Sequence, residues 1–217
     1  MRQTYLAMFS LAAFSLLLGG CASAPQPTGF ISNYSNLQEV SATRKQYIGP
    51  GIGQYDKFLI EPVEIVMYDQ DHASKLSPED RQQLEDYMQK TIRTELAKRY
   101  QIVDEPGPGV AIVRIAITDV KACQPVLKIE PHTKLLGLGR GEASGEMEIV
   151  DAITKRQLAA WIRAGQGEWL SLPFTDLAKW DDAKTVMNDW AKAMREQIDA
   201  AHAERNEAVA AVPSAKP

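Results

Sequence analysis

Val110-Ala111-Ile112-Val113-Arg114-Ile115-Ala116-Ile117-Thr118-Asp119-Val120 is the stretch on which the fold turns. Its length and β-branched content mark a strand. Ala111, Val113, Ile115 and Ile117 share one face, while Val110, Ile112, Ala116 and Val120 accompany Arg114 and Thr118 on the other. A strand that is apolar on both faces belongs in the middle of a sheet, covered on both sides. The segments around it must therefore supply neighbouring strands and covering layers.

Upstream, Pro106, Gly107, Pro108 and Gly109 turn the chain out of the short alternation Tyr100-Gln101-Ile102-Val103. Before this comes a helix with both ends signalled. Ser77 suits its N-cap, Pro78 its first position, Glu79 and Asp80 its positive end, and Lys98 and Arg99 its negative end. Leu84, Met88, Ile92 and Leu96 repeat at helical spacing, with Tyr87 and Tyr100 beside them, so one stripe faces a sheet. The segment from Lys57 to Val66 reads as a strand bent at Pro62, which cannot donate to a ladder.

Downstream, Gln124 to Glu142 carries two prolines and three glycines and reads as an excursion from the sheet. A hairpin follows. With Val150 opposite Gln157, strict alternation sets Gly145, Met147 and Ile149 against Ile162, Ala160 and Leu158. Ser144, Glu146 and Glu148 then meet Arg163, Trp161 and Ala159 on the second face. That register predicts a polar face on which Glu146, Trp161 and Arg163 form a surface for a partner. A last helix from about Asp181 to Glu204 buries Val186, Met187, Trp190, Met194 and Ile198. The expected fold is α+β: a two-layer sandwich with a mostly antiparallel sheet of about five strands and two helices packed on one face.

The chain's first residues carry a different message. Arg2, a mostly apolar run from Tyr5 to Leu18, and Leu18-Gly19-Gly20-Cys21 have the order of a lipoprotein signal, with Cys21 as the lipidated residue. The run is shorter than the ~20 apolar residues of a membrane span. Acyl chains contribute about 0.8 kcal/mol per buried CH2, so more than one on Cys21 would anchor the chain stably. Ala22, in place of Asp, indicates passage to the outer membrane. The expected organisation is a signal peptide over 1–20, lipidated Cys21 with tether and N-terminal arm over 21–53, a globular domain over 54–205 and a disordered tail over 206–217. The arm is rich in Pro, Gly, Ser, Asn and Gln, yet Phe30, Tyr34, Leu37 and Tyr47 need somewhere to pack.

With Cys21 acylated, Cys123 has no partner for an intramolecular disulfide and reads as a buried, small apolar residue. His72, His132 and His202 have no ligand-like spacing, so no metal and no cofactor is expected. The formal net charge is −4, with no basic cluster, so nucleic acid is not expected as a partner.

Gly29-Phe30-Ile31-Ser32-Asn33-Tyr34-Ser35-Asn36-Leu37, Tyr55-Asp56-Lys57 with Glu61-Pro62-Val63, and Gly145 to Asp151 with Thr154 in the turn give the chain a wider likeness. On these motifs it resembles the domain-of-unknown-function 3313 lipoproteins of Gram-negative bacteria. Where that family usually has Thr-Gly in the hairpin turn, this chain has Thr154-Lys155. The resemblance implies an exported lipoprotein with a small α+β domain, and no established activity.

Catalytic motifs are not completed. Gly137, Gly139, Gly141 and Gly145 do not fall in a G-x-G-x-x-G register and lead into a strand, and Ser144 lacks G-x-S-x-G spacing. Pairs such as Glu146 with Glu148, or Asp181 with Asp182, match acid–base partners by type alone. The expectation is an outer-membrane lipoprotein with a non-catalytic domain facing the periplasm. It would bind a periplasmic protein or glycan through Trp161, Arg163 and Glu146 or through the Gln124 to Glu142 loop. The alternatives are an auxiliary lipoprotein of an envelope transport system and an unrecognised periplasmic hydrolase.

Overall fold

A computed structural model describes residues 27–67, 73, 75–122, 142–166 and 179–211. Cys21, Cys123, His72, His132, most of the Gln124 to Glu142 segment and the end of the chain lie outside the described residues. The element order is β1 (Gln38–Ser41), β2 (Arg44–Ile48), a 3-10 turn (Ile52–Gln54), β3 (Lys57–Ile60), β4 (Glu64–Ile65), α1 (Pro78–Leu96), β5 (Gln101–Val103), β6 (Val110–Lys121), β7 (Glu142–Asp151), β8 (Gln157–Gln166) and α2 (Asp181–Ala210).

The class is α+β as expected, but the sheet is larger and mixed. Seven strands follow the order β1-β2-β8-β7-β6-β3-β5, and β4 adds to β6 beside β3. β3 runs parallel to both β5 and β6, and β4 parallel to β6. The cause is the α1 crossover, which returns the chain in its original direction where a tight turn would reverse it. The strand expected to bend at Pro62 is instead divided there, into β3 and β4 along one edge of β6. Glu61 N–H donates to Val113 and Val66 N–H to Ile117, so the ladder resumes beyond the break.

The extra strands come from the segment read as an irregular arm. β1 and β2 form a hairpin with an irregularity at Glu39/Ser41, and β2 pairs with β8 from Arg44↔Arg163 to Ile48↔Ala159. Their sequences, QEVS and RKQYI, are polar because this hairpin forms the sheet's rim, where charged residues discourage further pairing. At the other terminus α2 continues to Ala210, past the expected end of the domain. Residues 203–211 are exposed, and Ala and Glu extend the helix through propensity without burial.

Both helices lie on one face, as expected. Ser77 accepts from the Asp80 N–H at 3.1 Å, and Leu84, Met88, Ile92 and Leu96 are fully buried. They share one core with Ala111, Val113, Ile115 and Ile117 of β6 and with Val186, Met187, Trp190, Met194 and Ile198 of α2. The opposite face holds two smaller clusters. One surrounds Val110, Ile112 and Val150; in the other, Ile31, Ala160 and Ile162 meet Phe30, Tyr34, Leu37 and Tyr47.

Candidate functional site

The β7–β8 hairpin is where sequence and structure part. Val150 does pair with Gln157, but a bulge follows and Ile149 faces Ala159, Met147 faces Trp161 and Gly145 faces Arg163. One extra residue on β8 turns the rest of the strand over. Trp161 and Arg163 consequently lie on the helix face, and Glu146 on the other. The predicted surface of Trp161, Arg163 and Glu146 is therefore divided between the two faces of the sheet. Trp161 is 1% exposed and its indole N–H donates to Gln197 of α2, so it is core and not a recognition aromatic.

On the outer face, Glu146 and Glu148 are fully buried, and the N-terminal arm covers them. Glu146 accepts from the Thr28 N–H at 2.7 Å and from the Tyr34 hydroxyl. Glu148 accepts from the Ser32 N–H at 3.0 Å, the Ser32 hydroxyl, Gln157 Nε2 at 2.8 Å and Arg114 Nη1 at 2.9 Å. Arg114 also carries the Phe30 ring, 4.9 Å away, and reaches Glu61 at 3.4 Å. Burial, reinforced by the Glu146 carboxylate, pushes the Tyr34 hydroxyl pKa up and keeps it a donor. These carboxylates fasten the arm, and both oxygens of each accept at least one hydrogen bond.

A second anchorage joins Tyr55 to the hairpin turn. The Tyr55 hydroxyl donates to Asp151 at 2.8 Å, and Asp151 also accepts from the Thr154 N–H at 2.6 Å and the Thr154 hydroxyl at 2.7 Å. The Thr154 backbone and hydroxyl, followed by Tyr55, hold the Asp151 carboxyl down to about 2. Lys155 then adopts φ 58°, the left-handed conformation that a glycine would take without strain. The segments that gave the chain its family likeness thus converge on one another: the arm on Glu146 and Glu148, Tyr55 on Asp151, Asp151 on Thr154.

Two arginines meet on the inner face. Arg44 of β2 and Arg163 of β8 are direct ladder partners, and with Ser41, Thr43, Ala164 and Trp190 they line a cleft of about 210 Å3 at the rim of the sheet. Arg163 is 8% exposed. Its Nε and Nη2, and Nε of Arg44, find no acceptor among the described residues. Burial, with the charge of Arg44 next, lowers the Arg163 pKa to about 10, which leaves it protonated at neutral pH. Trp190 can lie over this site because Gly145 has no side chain; a Cβ there would come within 2.8 Å of the indole. A larger cleft of about 430 Å3 opens between the arm and the hairpin turn, lined by Asn33, Asn36, Tyr47, Lys155, Arg156 and Gln157 among others.

Among the described residues no group of three His, Cys, Asp or Glu side chains could hold a metal ion, and no helix is long and apolar enough to cross a membrane. His202 packs against Tyr100 and bonds the Tyr55 carbonyl at 3.1 Å, a structural contact.

An α+β sandwich strapped by its own N-terminal arm is the class these features define. Residues 26–194 match the model of the family "Protein of unknown function (DUF3313)", and the chain belongs to that family. No curated protein matches it. Among solved structures it is similar to the PelC dodecamer from Paraburkholderia phytofirmans, at 13% identity and TM-score 0.43 over 72% of this chain and 96% of that one. Protein XCC0632 from Xanthomonas campestris is similar at 7% identity and TM-score 0.38 over 74% and 95% of the two chains. Lipoprotein GNA1162 from Neisseria meningitidis is similar at 11% identity and TM-score 0.34 over 66% and 98%.

Proposed function

We propose that this chain is a lipoprotein anchored through Cys21 in the outer membrane, whose periplasmic domain binds an envelope partner and performs no catalysis. The observation that carries the reading is the short distance between anchor and body. Leu18-Gly19-Gly20-Cys21 has the order of a lipidation signal, and Thr28, seven residues beyond the cysteine, is already fastened to Glu146. Even fully extended, those residues span about 25 Å. The domain is therefore held against the membrane surface, where a binding or scaffolding role suits it. The carboxylates that resemble an acid–base pair support the non-catalytic side of the reading, because Glu146 and Glu148 are occupied by the arm.

Membrane fractionation of a Gram-negative host tests this. The wild-type chain is expected to sediment with the outer membrane and Cys21→Ser to lose that association. Equal membrane association of the two forms would refute the anchor.

A further inference from the structure

We propose that the cleft between the N-terminal arm and the β7–β8 turn binds an acidic sugar. Its volume of about 430 Å3 is that of a small-molecule site. The lining includes Lys155 and Arg156 and no carboxylate, on a chain whose formal net charge is −4. Both residues are exposed, and neither has an ion-pair partner among the described residues. Their charges therefore act on whatever enters the cleft, and they favour an anion.

Lys155 is held there under strain. Its φ of 58° is the left-handed conformation, which glycine adopts freely. The turn itself does not call for a lysine: the bond from its backbone N–H to the Asp151 carbonyl would be made by any residue but proline. Strain kept at the mouth of a cleft points to use of the side chain. Gly51 lines the same cleft, and a Cβ there would come within 3.3 Å of Arg156 Nη2, so its absence leaves the guanidinium room.

The neutral groups of the wall describe the rest of the ligand. Asn33 spends its side-chain oxygen on Ser35, and Asn36 donates its amide to Gln157. The Asn33 amide, the Asn36 side-chain oxygen and the Tyr47 hydroxyl are left without partners among the described residues. One group that donates, one that accepts and one that does both are suited to hydroxyls, which also do both. A bare anion would use the two cations alone, whereas a hydroxylated one uses the whole wall. The Tyr47 ring, with Pro50 and Leu158, adds apolar surface for the carbon face of a sugar ring. The inference gives the binding role proposed above a ligand class, but it stands on the cleft and holds whether or not Cys21 is acylated.

Thermal unfolding of the full-length chain in non-ionic detergent provides the test. Glucuronate and glucose 6-phosphate, titrated separately, should raise the unfolding temperature, because a ligand that binds only the folded state stabilises it in proportion to its occupancy. The stronger of the two assigns the acidic group as carboxylate or phosphate. Glucose, which lacks the charge, and sodium acetate at matched ionic strength, which lacks the hydroxyls, should each act more weakly than both. Lys155→Gly and Arg156→Gln should each raise the sugar concentration needed for half the shift roughly fivefold, the loss expected for one charge pair open to solvent. Lys155→Gly without ligand should unfold above the wild-type temperature, so its weaker response cannot come from a damaged fold; a lysine of no importance to binding would leave the response unchanged. No response to either acidic sugar, an equal response to acetate or to glucose, or an unchanged response in both variants would overturn the proposal.

Discussion

Glu148 shows how much of this molecule rests on single side chains. It is fully buried and joins the arm, β6 and β8 through Ser32, Arg114 and Gln157. Glu148→Ala removes the acceptor of the Ser32 N–H and of Gln157, while Arg114 keeps Glu61, so it should cost about 2 kcal/mol in urea denaturation. It should also speed proteolysis within residues 29–37, while Glu148→Gln, which keeps an acceptor for Ser32, costs less. Asp151 makes the pH dependence. Its folded pKa of about 2 lies below the ordinary carboxyl value near 3.9, so it stabilises the fold above about pH 4 and loses that contribution as pH falls toward 2. Denaturation of wild type and Asp151→Asn across that range should show their stability gap closing as acid is added. Lys155 carries the reverse lesson: with φ 58° it is strained, and Lys155→Gly should gain about 0.5 kcal/mol, seen as a higher unfolding temperature.

At the scale of elements, strongly periodic segments declared themselves. Leu84, Met88, Ile92 and Leu96 repeat cleanly, and the caps of α1 are local, so sequence and structure agree there. β8 is different. Leu158-Ala159-Ala160-Trp161-Ile162 is apolar at both parities, so either register buries apolar side chains and alternation cannot reveal the bulge. The single extra residue moved Trp161 from an expected surface into the core. Trp161→Ala should therefore destabilise the protein by roughly 3–5 kcal/mol, measured by denaturation, and act through folding before any partner is considered. β1 and β2 were hidden for another reason: a polar rim hairpin lacks the apolar period by which strands are recognised. Arg44 and Arg163 were unreadable as a pair for the same cause, since only the β2–β8 ladder brings them together.

For the whole molecule, the family's motifs describe a strap and its fastenings. Phe30, Ser32 and Tyr34 fold the arm over Glu146, Glu148 and Arg114, and the polar outer face becomes a second, small core. That strap fixes where the domain begins, and with it how far the body can stand from an acylated Cys21. Whether Cys21 is the acylated N-terminus decides that distance, and mass spectrometry of the chain purified from membranes reads it from the protein itself. An N-terminal peptide beginning at Cys21 and carrying acyl chains is expected. An unmodified Cys21, or a mature N-terminus elsewhere, would contradict it.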